Sequence, residues 1–137
     1  MKTETLRQQH KELFELASQL KDSLVPQQLK KDPEPVKWIL SELSSKLRLH
    51  LVMEDEILYP AIADHSDEQF RALAQTFMHE MGGLHKDFTH YITKWLLLGH
   101  IQEKPEEFID KTNEILDELI ARINKEDKRL YPIYDEL

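Results

Sequence analysis

Apolar residues in this chain recur at alternating steps of three and four residues, which is the spacing of a helix that buries one face in a bundle. This pattern continues through four long stretches of sequence, residues 3–25, 34–63, 67–98 and 105–134. Breakers separate the stretches, and the whole chain has only 3 glycines, which leaves little room for hairpins or sheets. Because the connectors are short, the pattern predicts an all-α fold, an antiparallel up-down-up-down four-helix bundle.

Length and charge limit the size of the fold and its partners. The 137 residues are enough for a single domain, residues 1–137, with one core. Lys and Arg number 18 against 26 Asp and Glu, and the net charge of −8 argues against nucleic-acid and anionic-membrane partners. No segment approaches ~18 consecutive apolar residues, and the N-terminus has no apolar signal region, so we expect a cytoplasmic protein. The absence of cysteine excludes thiolate metal ligands.

Ionisable residues interrupt three of the four apolar seams. The first seam contains His10, the second contains His50 and Glu54, and the fourth contains Arg122 and Glu126. The start of the first helix lies level with the ends of the second and fourth in an antiparallel bundle, so these side chains are expected to meet. Buried carboxylates are normally paired with cations, hydrogen-bonded or coordinated to metal. Two imidazoles and two carboxylates are donors suited to iron, manganese or zinc.

An internal repeat supports this convergence. The segment LRLHLVMEDEILYP at 47–60 aligns with LIARINKEDKRLYP at 119–132, so that Glu54 falls on Glu126 while His50 falls on Arg122. The repeat predicts a bundle of two pseudo-symmetric halves, each of which contributes one carboxylate near the end of a helix.

The 3-4 spacing also predicts which residues follow these carboxylates in the core. The second seam is expected to continue through Ile57 and Ala61, and the fourth through Arg129 and Ile133. The tyrosines of the two Tyr-Pro pairs, at positions 59 and 131, are expected to pack at the end of the bundle.

Three motifs together resemble a hemerythrin-like protein of the bacterial HHE cation-binding group. They are the lone histidine of LRQQHKEL, the H-x-x-x-E of HLVMEDEILYP and the helix ending KEDKRLYP, and they span nearly the whole chain. The resemblance implies a four-helix bundle with a non-haem di-iron centre, bridged by two carboxylates and an oxo or hydroxo group. It also implies dioxygen binding, or a role in sensing, storage or nitrosative stress.

The resemblance assigns roles to four residues directly. His10 and His50 resemble the histidines of one iron, and Glu54 and Glu126 resemble the two bridging carboxylates. The other iron is less well matched, because Met81 and Arg122 stand where the family usually has histidines.

A further histidine extends the candidate set. His85, four residues beyond Met81, is a candidate for the second histidine of the third-helix pair. A single metal ion and a two-metal centre are therefore both compatible with the sequence, with iron as the first candidate and manganese or zinc as alternatives.

Three classes of function remain open. The favoured hypothesis is a non-enzymatic metal-binding protein that binds or senses iron, dioxygen or nitric oxide. The alternative is a metal-free scaffold or interaction protein, in which Arg122 pairs with Glu126 and Glu54 while the histidines hydrogen-bond to them. A metal-dependent redox enzyme would need an open coordination position and an electron donor, and the sequence shows neither. The sequence identifies no protein partner.

Overall fold

The computed structural model describes residues 1–137, and all of its regular secondary structure is helical. The α-helices are α1 (Glu4–Asp22), α2 (Pro26–Lys31), α3 (Glu34–Met53), α4 (Tyr59–Ala63), α5 (Glu68–Ile92), α6 (Pro105–Lys125) and α7 (Tyr131–Asp135). Three π-helical turns follow α3, α5 and α6, at Glu54–Leu58, Thr93–Leu97 and Glu126–Leu130. The predicted all-α class is confirmed.

The helices pack as a ring of neighbours. Helix α1 packs against α3, the continuation of α3 into α4 packs against α5, α5 packs against α6, and α6 returns to α1. Helices that follow one another along the chain are therefore neighbours in space, as in an up-down-up-down bundle. The predicted architecture is confirmed. No helix is both long enough and apolar enough to span a membrane.

One connector holds a helix that the sequence did not predict. The segment after the first long helix, interpreted as a break because of Pro26, instead forms the six-residue helix α2. Proline at the first position of a helix costs no hydrogen bond and pre-sets the backbone angle, so Pro26 starts a helix here. Helix α2 packs on α6 and buries Leu29.

Beyond the two carboxylates the predicted seams are wrong at Ile57 and Arg129, because a π-turn shifts the helix phase by about one residue. Ile57, predicted inward, is 48% exposed, while Leu58 and Ile62 are buried in its place. In the other half, Arg129 is exposed and Leu130 is buried. Ile133, the last residue predicted for the fourth seam, is buried as expected.

The Tyr-Pro pairs account for the position of these two π-turns. Pro60 and Pro132 each lie one residue after the start of the α-helix that follows a π-turn. Proline has no N–H to donate, and its ring would clash with the carbonyl oxygen four residues earlier in a regular α-helix. A widened turn before each proline relieves that clash and turns the preceding tyrosine toward the core.

The apolar core consists of two clusters. The smaller one contains Leu6, Leu58 and Leu130, and the larger one contains Leu13 and Ile123. The buried ionisable residues lie between these two layers, since His10 is between Leu6 and Leu13 along α1. The fold therefore encloses the polar groups with hydrocarbon on both sides.

Candidate metal centre

Four buried ionisable side chains converge between the two apolar layers. They are His10, His50, Glu54 and Glu126, each at most 1% exposed. One nitrogen or oxygen atom from each residue can be chosen so that all four atoms lie within 4.8 Å of one another. Helices α1 and α3 supply the histidines, and each carboxylate is the first residue of a π-turn. The structure thus brings together four of the five metal ligands that the sequence predicts.

Hydrogen bonds on the outer side of each imidazole fix its tautomer. His10 Nδ1 donates to Asp127 Oδ1 at 2.7 Å, and His50 Nδ1 donates to Gln9 Oε1 at 2.7 Å. Carboxylate and amide oxygens can only accept, so the proton of each neutral ring is on Nδ1. Both Nε2 atoms therefore direct their lone pairs inward, which is the orientation that outer hydrogen bonds give to metal-binding histidines.

The inward nitrogens require a cation between them. His10 Nε2 and His50 Nε2 are 3.0 Å apart, and two lone pairs at that distance repel unless a proton or a metal ion lies between them. Without a metal, His50 carries that proton. Burial lowers its pKa, but the Glu126 and Glu54 carboxylates outweigh burial and raise the pKa to about 9. Burial and the His50 cation lower the pKa of His10 to about 4, so His10 stays neutral.

Each carboxylate has one oxygen held by a tyrosine and one oxygen without a partner. Tyr131 Oη donates to Glu54 Oε2 at 2.8 Å, and Tyr59 Oη donates to Glu126 Oε2 at 3.3 Å. Oε1 of Glu54 and Oε1 of Glu126 are buried and accept no hydrogen bond. These two oxygens lie 3.3 Å from His50 Nε2 and 3.4 Å from His10 Nε2, respectively.

The residues present fit a metal ion. Unpaired buried carboxylate oxygens are costly, and burial together with the nearby Glu126 raises the pKa of Glu54 to about 7. Two imidazole nitrogens and two carboxylate oxygens, with their outer atoms already hydrogen-bonded, form a donor set that suits divalent iron, manganese or zinc.

The second half of the bundle repeats the arrangement with different side chains. In the first half, Gln9 hydrogen-bonds to His50. Glu80 lies 71 residues after Gln9, Arg122 lies 72 residues after His50, and these two residues form an ion pair. Arg122 also lies over the Phe77 ring, with its guanidinium carbon 5.0 Å from the ring centroid. The expected pairing of Arg122 with Glu126 and Glu54 is not formed. Its charge is balanced by a carboxylate outside the buried cluster.

The remaining predicted ligand, His85, lies outside the cluster. Its side chain is exposed in a groove between α3 and α5 that Arg48 and Asp55 also line. Met81 and Leu84 are the residues of this part of α5 that face the core. His85 follows Leu84 and is therefore rotated by about 100° from the inward face. The structure does not support its expected ligand role.

Four residues that contact the cluster were not predicted from the sequence. Gln9 and Asp127 hold the outer nitrogens of the two histidines, and Tyr59 and Tyr131 hold the carboxylates. The repeat carried a signal for three of them, because EDxxLYP occurs in both halves. Gln9 had no such signal beyond its position next to His10.

Comparison with known proteins agrees with this site. The family model for the hemerythrin HHE cation binding domain matches residues 1–134, a range that includes all four clustered side chains. The searches of curated proteins and of solved structures gave no significant match.

Proposed function

The chain belongs to the hemerythrin HHE cation-binding domain family, and on that premise we propose that it binds one transition-metal ion through His10, His50, Glu54 and Glu126. The observation that carries this proposal is the pair of unpartnered carboxylate oxygens facing two imidazole nitrogens in a buried site. A cation at this position satisfies both oxygens and removes the repulsion between the nitrogens. We propose further that residues 1–137 form a single domain.

Iron is the metal that we propose first. The donors are neutral nitrogen and anionic oxygen without sulfur, which suits iron(II), manganese(II) and zinc(II). Bound iron would supply a centre that takes a diatomic ligand such as dioxygen or nitric oxide. The chain itself holds the ligands in fixed orientations and excludes water, since the four side chains are buried between apolar layers.

The enclosure of the site favours binding or sensing over enzymatic turnover of a larger molecule. The main surface clefts are lined by other residues, none of them from the cluster. None of these clefts leads a bulky substrate to the cluster, and we expect a diatomic molecule to reach it through small fluctuations of the packing. We therefore propose a protein that binds or senses iron, dioxygen or nitric oxide.

The second half of the bundle supports one metal ion rather than two. Arg122 is a permanent cation with its own carboxylate partner, Glu80, and Met81 offers only a thioether. A permanent guanidinium charge disfavours a second cation nearby, and a soft, neutral thioether does not match the nitrogen and oxygen donors that suit iron(II) or manganese(II).

Metal content and spectra test the proposed function. We expect one iron per chain after anaerobic reconstitution, with an absorption spectrum that changes on exposure to air or nitric oxide. His50→Ala should lose the metal, whereas the matched control His85→Ala, which changes an exposed histidine, should keep it. Two equally tight irons would contradict the single-metal proposal, and no iron after reconstitution would favour the metal-free scaffold.

Protons should compete with the metal at pH values well above those at which an ordinary histidine titrates. The pKa of His50 is raised to about 9, so at pH 7 its proton must leave before the nitrogen can bind metal. We expect between one and two protons released per metal ion at pH 7, one from His50 and a fraction from Glu54, whose pKa is raised to about 7, with affinity rising with pH until about 9. The usual histidine pKa of about 6.5 would place this dependence near pH 6.

Calorimetry in two buffers with different ionisation heats measures the protons released. A metal affinity that is constant between pH 6 and pH 9 would contradict the assignment of His50 as a ligand.

A further inference from the structure

Two tyrosines connect the halves of the bundle crosswise at the buried cluster. We propose that Tyr59 and Tyr131 are positioning residues: each holds one carboxylate oxygen of the opposite half, so that Glu126 and Glu54 each present a single oxygen, Oε1, to the metal. This inference rests on the proposed metal-binding function. It concerns the number of donors that the site offers and therefore the coordination of the ion.

Tyr131 is the more firmly held of the two. Its hydroxyl donates to Glu54 Oε2 at 2.8 Å, and the residue is fully buried. Its ring stacks on His10, with centroids 4.9 Å apart and planes 10° apart, and Arg7 covers the ring with its guanidinium carbon 5.4 Å from the centroid. Packing on the ring fixes the hydroxyl, and the hydroxyl in turn fixes the carboxylate.

The π-turns explain how these tyrosines reach the carboxylates. Tyr59 bonds through its backbone N–H to the carbonyl of Glu54, while its hydroxyl donates to Glu126 Oε2 at 3.3 Å. Tyr131 makes the corresponding pair of hydrogen bonds: its backbone N–H donates to the carbonyl oxygen of Glu126, and its hydroxyl donates to Glu54 Oε2. Each half thus orients the carboxylate of the other half, and the extra residue in the turn turns the tyrosine inward.

The carboxylate oxygens that have no hydrogen-bond partner determine how many donors the site offers to a metal ion. The hydroxyls occupy Oε2 of both carboxylates, and only Oε1 of each remains without a partner. With the two imidazole nitrogens this makes four protein donors. Four donors favour a low coordination number and leave room for an added small ligand. Without a tyrosine hydroxyl, the freed oxygen can bind the metal as well or rotate away from it.

Removal of a single hydroxyl tests this role without removing a ring. Tyr131→Phe and Tyr59→Phe keep the aromatic packing and delete only the donor. Tyr91→Phe is a matched control, because the Tyr91 hydroxyl is buried in the same bundle and bonds to Thr112 Oγ1 at 2.6 Å, away from the cluster. All three variants lose one buried hydroxyl, but only two of them lose a contact to a proposed metal ligand.

The experiment is a titration of the metal-free protein with cobalt(II), followed by its visible absorption, for the wild type and the three variants. Cobalt absorbs more strongly with four ligands than with five or six. We expect Tyr131→Phe to weaken cobalt affinity by about tenfold to a hundredfold and to lower the absorption per bound ion. Tyr59→Phe, which loses a longer hydrogen bond, should change both in the same direction but less, and Tyr91→Phe should match the wild type.

The outcomes separate this inference from the proposed function. If the wild type binds cobalt and both Tyr131→Phe and Tyr59→Phe match it in affinity and spectrum, the positioning role is overturned and the metal site stands. If the wild type binds no cobalt, the proposed function fails and the inference fails with it. If Tyr131→Phe does not fold, Tyr59→Phe compared with Tyr91→Phe decides the question.

Discussion

The double variant His50→Leu/Glu54→Leu is expected to lose metal binding completely while the bundle still folds. It removes one nitrogen and one oxygen from the four proposed donors. Leucine at both positions continues the 3-4 apolar spacing of α3 and replaces two buried polar groups with hydrocarbon, a change that is often neutral or stabilising. Elemental analysis and thermal unfolding with and without chelator measure the two effects.

The single variant Glu54→Leu should be less stable than the double variant in the presence of chelator. It leaves the protonated His50 without one of its two carboxylates and Tyr131 without its acceptor. Removal of one partner of a buried charge pair costs about 3–5 kcal/mol. The sequence suggested that Arg122 would lose its partner in this variant. The structure indicates that His50 loses a partner instead, because Arg122 is paired with Glu80. Full metal content in the double variant would show that the site is misplaced.

A second double variant, Met81→His/Arg122→His, is expected to raise the metal content from one ion per chain to two. The two halves of the bundle correspond at offsets of 71 and 72 residues, so that Met81 occupies the position equivalent to His10 and Arg122 the position equivalent to His50. The acceptors that an added histidine pair would need are already in the sequence. Glu80 corresponds to Gln9, which holds His50.

The other acceptor follows from the same correspondence. Asp55 is the counterpart of Asp127, which holds His10. Asp55 also lines the same groove as Met81, so a histidine at 81 has a carboxylate in its vicinity. The second half therefore retains the outer hydrogen-bonding groups of a metal site, although its inward side chains differ.

Matched variants separate the added ligands from the removal of a charge. Met81→Leu/Arg122→Leu removes the guanidinium and adds no donor, so it should keep one ion per chain. Arg122→His alone adds one ligand and should bind a second ion only weakly. Titration with cobalt(II) or iron(II) under anaerobic conditions gives the stoichiometry. A double histidine variant that still binds a single ion would show that the two halves are not equivalent around the metal.

The four-residue cluster could be predicted from the sequence because helical periodicity shows which residues face inward along the whole length of each helix. His10, His50, Glu54 and Glu126 occupy inward positions of three seams, and the antiparallel arrangement places them at one height. A regular 3-4 repeat is enough to predict this, since the first seam contains no π-turn and the residues of the other two seams lie at or before the start of theirs.

Positions beyond the carboxylates could not be predicted in the same way. A π-turn adds a residue without changing the composition of the stretch, so Ile57 was placed inside, whereas the structure exposes it and buries Leu58. The inward direction of Tyr59 and Tyr131 depends on the same shift, and so do their hydrogen bonds. The Tyr-Pro pairs marked the place, but the predicted seams crossed Pro60 and Pro132 without a change of phase.

Helical periodicity also could not predict the ion-pair partner of Arg122. On its own helix, Arg122 lies one turn before Glu126, which made that carboxylate the expected partner. Glu80 belongs to α5 and is 43% exposed at its side chain, so its choice depends on how α5 and α6 pack side by side. Side-chain pairing between helices follows from that packing, which a single-sequence pattern does not specify.

The most direct test of the central claim is the position of the metal itself, from anomalous X-ray scattering at the absorption edge of cobalt or iron in crystals of the metal-loaded protein. One peak is expected per chain, among Nε2 of His10 and His50 and Oε1 of Glu54 and Glu126. A peak at any other residues, or no peak at this cluster in protein that carries one ion per chain in solution, would contradict the proposed site.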